Sequence, residues 1–353
     1  MLHVIIGWVQ LICLTFCIGV IVCRLWFFTP SMEGAFSYRG NFRPGLWKLF
    51  CFGLALLIAG SVAGLIGRAV EMSGRPVSGI PPVLPLVLFK THYGTVWCVR
   101  IGALILMALS AAVARYRDTR TFLVLMLFFA VVVSMTSSAS GHGADTGDFS
   151  VPEMMDWLHL IAACLWGGGL MVLAVTALPD LTGRREMSAP LIAAVAGRFS
   201  ALAGITVAMI GITALYNIWS YVGWSAQSWG ASYGIIVIAK MALFFGLLNL
   251  GAFNRYVSLP LLQEWAGLQT GGKGIAGSLA AHFFARFQID RAGVPTALRF
   301  KRLVRAEALL IALVLLLAAT LRHEVPARHA AHMGHHNEMT PPQHETGKGM
   351  RMQ

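Results

Sequence analysis

The chain has 353 residues, 57% of them hydrophobic and only 12% charged, and its mean hydropathy is +0.70. A soluble protein of this length needs more polar surface to cover itself, so most of the chain faces lipid. The formal net charge of +12 does not mark a nucleic-acid binder, because Lys and Arg fall between apolar runs instead of lining one polar face.

A bilayer core takes about 20 apolar residues per helix, and continuous runs of that kind point to helices, not strands. The first run, residues 4–27, follows no basic stretch and is too long for a signal-peptide core, so it is expected to persist as span one. Further spans are expected over 49–70, 94–114, 121–140, 154–178, 200–222, 234–253 and 303–321. The fold class is thus all-α, a polytopic transmembrane bundle of about eight spans.

Basic residues follow span one (Arg39, Arg43, Lys48), span three (Arg115, Arg117, Arg120), span five (Arg184, Arg185) and span seven (Arg255 to Arg302). The positive-inside rule makes those connections cytoplasmic and places both termini in the periplasm. The segment between spans two and three carries Arg68, Arg75 and Lys90 yet falls outside, and its Pro81, Pro82 and Pro85 predict an irregular lid.

Residues 262–302 read as a cytoplasmic insertion, Gly-punctuated and then amphipathic over Leu279–Phe287 with Arg286 on the helix, suited to a membrane surface. Residues 1–321 form the transmembrane domain, and 322–353 read as a disordered periplasmic tail rich in His and Met.

In this plan His3, His92, His142 and His159 gather at the outer ends of spans one, three, four and five. Imidazole suits copper and other late first-row ions, and ionisable groups at membrane depth face a cavity or the bundle interior. Asp156, one turn before His159, is placed to orient an imidazole or complete a site. For each histidine alone, a hydrogen bond at the interface is an equally good reading.

The tail adds His329, His332, Met333, His335, His336, Met339 and His344, a flexible set of imidazoles and thioethers that would concentrate copper outside the membrane, the alternatives being a tail that binds zinc or nickel without selectivity or an expression artefact. Arg100, Lys240 and Glu307 are charges inside spans; Arg100 is expected to meet Asp156, and Glu307 to meet Arg255. Cys13 and Cys17, one turn apart, offer a thiolate pair to Cu(I) or serve as small apolar residues. The six cysteines lack CxxC pairs, so neither a zinc ribbon nor a disulfide framework is implied.

The segment DWLHLIAACLWGGGL, Asp156–Leu170, places His159, Ala163, Trp166 and Leu170 on one helix face, with glycines at 167–169 for close packing. Trp166 reads as an interfacial packing aromatic. This segment resembles the signature region of the CopD family of copper resistance membrane proteins. SGHGAD at Ser140–Asp145, RFSALAGITVAMIGITALYNIW at 198–219, Tyr233–Arg255 with Lys240 and Asn254-Arg255, and Glu307 in the last span resemble further family elements in order and spacing. The 262–302 insertion and the tail depart from that pattern.

The resemblance implies a bacterial inner-membrane protein that transfers copper, with His142 and His159 as its first candidate ligands and a CopC-like periplasmic protein as partner. His92 and His3 are additions from topology. An alternative is a membrane redox protein with paired histidines on haem; another is a noncatalytic copper-sensing or assembly subunit. With no P-loop, phosphorylated-Asp motif or hydrolytic triad, the chain is not expected to be an enzyme or to pump with ATP by itself.

Overall fold

The computed structural model describes residues 2–28, 42–117, 120–141, 147–178, 182, 189–268, 278, 282 and 293–326. His142, the tail ligands and most of the Leu279–Phe287 stretch lie outside the described residues. Among the described residues, eight helices are long and apolar enough to cross a bilayer. They are α1 (Leu2–Val22, extended by a π-helical turn to Phe27), α2 (Phe42–Ser73), α3 (His92–Arg117), α4 (Arg120–Ser138), α5 (Val151–Val172, extended to Ala177), α6 (Ala189–Tyr221), α7 (Ser232–Phe253) and α8 (Val294–Leu321).

All eight expected spans are present, but several helices outrun the apolar cores. α6 begins eleven residues before the expected span, and α7 continues through a π-helical turn, Asn254–Ser258, into a short helix at Leu259–Trp265. Arg198, Arg255 and Glu264 end an apolar run, yet each sits where a helix passes beyond the hydrocarbon, so the backbone ladder continues. The 262–302 segment is therefore helical at both ends. The expected irregular lid is also more ordered than its prolines suggested: a 3₁₀ turn at Val77–Gly79 leads into a helix at Leu84–Lys90. Pro85 sits in the first turn of that helix, where its missing N–H costs nothing, and Ile80 and Val87 bury against Leu65 and Ala69 of α2. A Cβ at Gly94 would come within 2.2 Å of the Val87 carbonyl oxygen, so only glycine lets the short helix back onto α3.

α1 and α5 form the interior. They pack on one another, α1 also touches α2, α4 and α8, and α5 also touches α4, α6 and α8. In lipid there is little hydrophobic drive between helices, so close approach and polar ties carry association. Here Gly19 of α1 faces Gly168 of α5 backbone to backbone: a Cβ on Gly168 would lie 2.2 Å from the Thr15 carbonyl oxygen. Indole N–H groups tie helices further, Trp8 to the Ala312 carbonyl at 2.9 Å, Trp97 to the Ser61 carbonyl at 2.8 Å and Trp157 to the Ser134 hydroxyl at 2.9 Å. α7 is peripheral and packs chiefly on α8, which leaves a gap between α7 and the α5–α6 pair.

The start of α1 and the end of α8 lie together, since the His3 and His323 rings are neighbours; this is called the upper face below. Gly168→Val is expected to destabilise the fold by about 1–3 kcal/mol through overpacking, read as a lowered melting temperature in detergent, whereas Gly246→Ala, with nothing within 4 Å of its Cβ, should leave it unchanged.

Candidate functional site

The start of α5 is fixed by its own sequence. Ser150 is the N-cap and accepts from the Glu153 N–H, while the Glu153 carboxylate reaches back to the Phe149 N–H at 2.5 Å. This is a capping box shifted by one donor, and it lets Phe149 hold a positive φ of 57°. From that anchor, Asp156 and His159 point from α5 into a cavity of about 230 Å³ between α5, α6, α7 and α8.

The walls of this upper cavity are mainly apolar, and its polar groups are few: Ser138, Asp156, His159, Asn217, Tyr221, Tyr233, Lys240 and Arg322. Asp156 accepts from the Ser138 hydroxyl at 3.1 Å. His159 Nδ1 lies 2.9 Å from Thr213 Oγ1, and that hydroxyl donates to the Met209 carbonyl at 2.7 Å. With the threonine proton on the backbone carbonyl, Nδ1 donates to Oγ1 and Nε2 is left with the lone pair; in the other tautomer the roles reverse. The Asn217 side-chain oxygen is buried without a hydrogen-bond partner among the described residues.

Lys240 and Arg322 line the same cavity as the Asp156 carboxylate. At the upper face beyond the span, burial pushes the Arg322 guanidinium below its ordinary value, with Asp156 and Tyr93 pulling the other way. Arg322 also donates to the Ser137 carbonyl.

A second cavity, of about 330 Å³, lies below the first between the same helices. Glu307, 2% exposed, accepts from Asn254 Nδ2 at 2.7 Å, and Asn254 Oδ1 accepts from Ser258 at 3.2 Å. Arg255 donates to the Ser200 carbonyl at 2.5 Å and to its hydroxyl at 3.1 Å. Glu307 thus meets Asn254, not Arg255; the π-helical turn directs Asn254 to Glu307 of α8, while Arg255, also lining this cavity, turns to Ser200 of α6. Trp166 and Leu247 line both cavities and separate them, and Trp166 stacks edge-on against Phe244 at 6.2 Å. Trp166 is 3% exposed, so it is a central plug and not an interfacial aromatic.

The remaining sequence candidates fall elsewhere. Arg100 bonds the Thr136 carbonyl at 2.7 Å, Thr136 Oγ1 at 3.0 Å and the Ser140 hydroxyl, not Asp156. His92 stands at the upper rim, 3.5 Å from the Asp148 carboxylate. His3 lies at the rim beside His323, outside the cavity. Cys13 and Cys17 line neither cavity; Cys17 packs on α2, with its thiol 3.9 Å from the Phe50 carbonyl oxygen. Among the described residues no group of three or more His, Cys, Asp or Glu is placed to hold a metal ion, and no second described histidine faces His159 as paired haem ligation requires. Sequence reading missed Thr213, Asn217, Tyr233, Arg322 and His323. Only Thr213 and Asn217 carried a signal, as polar residues one turn apart in an apolar run.

Two families match the chain. The one described as "Copper resistance protein D-like, N-terminal domain" matches residues 1–150, and "Copper resistance protein D" matches residues 193–321. Copper resistance protein D of Pseudomonas syringae pv. tomato is 26% identical over 253 residues, covering 67% of this chain and 79% of that protein. Copper transport protein CutJ of Bacillus subtilis (strain 168) is 24% identical over 262 residues, covering 70% of this chain and 47% of that protein. No solved structure matches. With both families spanning successive parts of an eight-helix membrane bundle, the second of them over the 198–219 and Tyr233–Arg255 segments, the chain belongs to the CopD family of bacterial multi-pass inner-membrane proteins.

Proposed function

We propose that this chain handles copper by carrying it inward across the inner membrane, and that the ion enters through the upper cavity at His159 and Asp156. One observation carries the reading: a histidine inside the bundle, its Nδ1 held by Thr213, lines a cavity next to a carboxylate on the same helix face. Copper resistance and copper transport relatives support the choice of cargo.

The upper face is periplasmic in this reading, because the clustered basic connections lie toward the other end of the bundle. A CopC-like protein or the His/Met tail of residues 322–353, with His142 nearby in sequence to Ser140, delivers the ion to that face. His159 and Asp156 supply two ligands, and Lys240 and Arg322 keep the cavity positive. Binding is then weak enough for release, as passage requires. The route continues past Trp166 and Leu247 to the lower cavity, where Glu307 offers a carboxylate. The plug closes the path in the state described here, so transfer needs α7 and α8 to move relative to α5 and α6.

Reconstituted in liposomes, His159→Ala is expected to lose copper uptake; unchanged uptake would sink the reading. Thr213→Val, which removes the acceptor of Nδ1–H, should weaken copper binding by about 10–100-fold, and Thr213→Ser should restore it. Trp166→Ala should raise copper leak through liposomes carrying the protein, while a leak equal to wild type would remove the plug from the route.

A further inference from the structure

The upper rim carries a pair of imidazoles that belongs to neither cavity. His3, in the first turn of α1, and His323, just past the end of α8, have ring centroids 6.2 Å apart with planes tilted by 49°. They are 320 positions apart in sequence and meet only because the bundle brings the first and last helices together at one face. Both side chains are exposed.

The spacing selects among coordination geometries. With a metal–nitrogen bond of about 2.0 Å, two imidazoles on opposite sides of one ion have centroids about 6.3 Å apart, whereas a tetrahedral angle brings them to about 5 Å. With one nitrogen of each ring turned toward the other, the observed separation matches the near-linear, two-coordinate arrangement that d¹⁰ monovalent ions accept. Imidazole is a competent donor to such ions. Zinc, which fills four positions, finds no third His, Cys, Asp or Glu suitably placed among the described residues.

The surroundings suit this use. A Cβ on Gly67 of α2 would stand 3.2 Å from His3 Cε1 and 3.5 Å from its Nδ1, so the glycine leaves the ring its berth. Arg322, the residue before His323, lines the upper cavity, and the tail ligands begin six residues after His323.

We propose that His3 and His323 form a two-coordinate Cu(I) capture site at the rim, between the tail and the upper cavity. The inference rests on the copper reading but adds a site distinct from His159. It is tested on the full-length chain in detergent, with the seven tail candidates His329 to His344 replaced by Ala, by anaerobic Cu(I) titration against a chromophoric chelator. His3→Ala with His323→Ala is expected to remove one bound equivalent, and His159→Ala to remove a different one. An unchanged count in the rim double variant overturns the capture site. Loss at the rim with no effect of His159→Ala leaves the site standing and removes the upper-cavity reading instead. His3→Met with His323→Met, matched to wild type in melting temperature, should retain Cu(I). The copper K-edge of the tail-substituted His159→Ala chain should report two nitrogen neighbours; three or four ligands would overturn the proposal.

Discussion

The contact between Gly19 and Gly168 sets the rest of the architecture. Neither helix has a solvent-driven reason to approach the other inside lipid, and with no side chains between them the backbones themselves are in contact. The approach places α1 and α5 at the centre and spends the glycine face of α5 on packing. His159 lies nine residues before Gly168, and at about 100° per residue that puts it half a turn away, on the side that α1 does not cover. Trp166 falls on nearly the same side. Packing and chemistry thus occupy opposite faces of one helix.

The gap beside that free face is where a transmembrane protein tolerates polar groups. An unsatisfied polar atom in hydrocarbon costs several kcal/mol, and the bundle answers with short local ties: Arg100 on Thr136, Glu307 on Asn254, Arg255 on Ser200. The same accounting leaves the Asn217 oxygen unpartnered beside Asp156, His159 and Lys240 in the upper cavity. Trp166, Phe244 and Leu247 then interrupt the polar path with an apolar layer, so two cavities exist where an open channel would conduct ions freely.

The spans were legible because lipid demands long apolar runs, and the family resemblance was legible because the 198–219 and Tyr233–Arg255 segments keep their order and spacing within the matched region. Helix ends were less so, since a charge such as Arg255 ends an apolar run without ending a helix. Asp156 and His159 were found from spacing on one helix. Thr213 and Arg322 were not, because their relevance depends on which helix lies opposite. His323 was passed over for a specific reason: the tail was read as starting at Arg322, whereas the structure keeps the chain seated on the rim through Pro326. The pairing of Arg100 with Asp156 failed because the guanidinium found carbonyl and hydroxyl partners on α4 at its own depth.

The central claim is that copper enters beside α5 at His159, not along the cysteines of α1. An anomalous difference map from crystals of the full chain soaked with Cu(I), recorded at the copper edge, tests it most directly. The account predicts a peak in the upper cavity within bonding distance of His159 Nε2, above Trp166. A cavity without copper and a peak between Cys13 and Cys17 would contradict it.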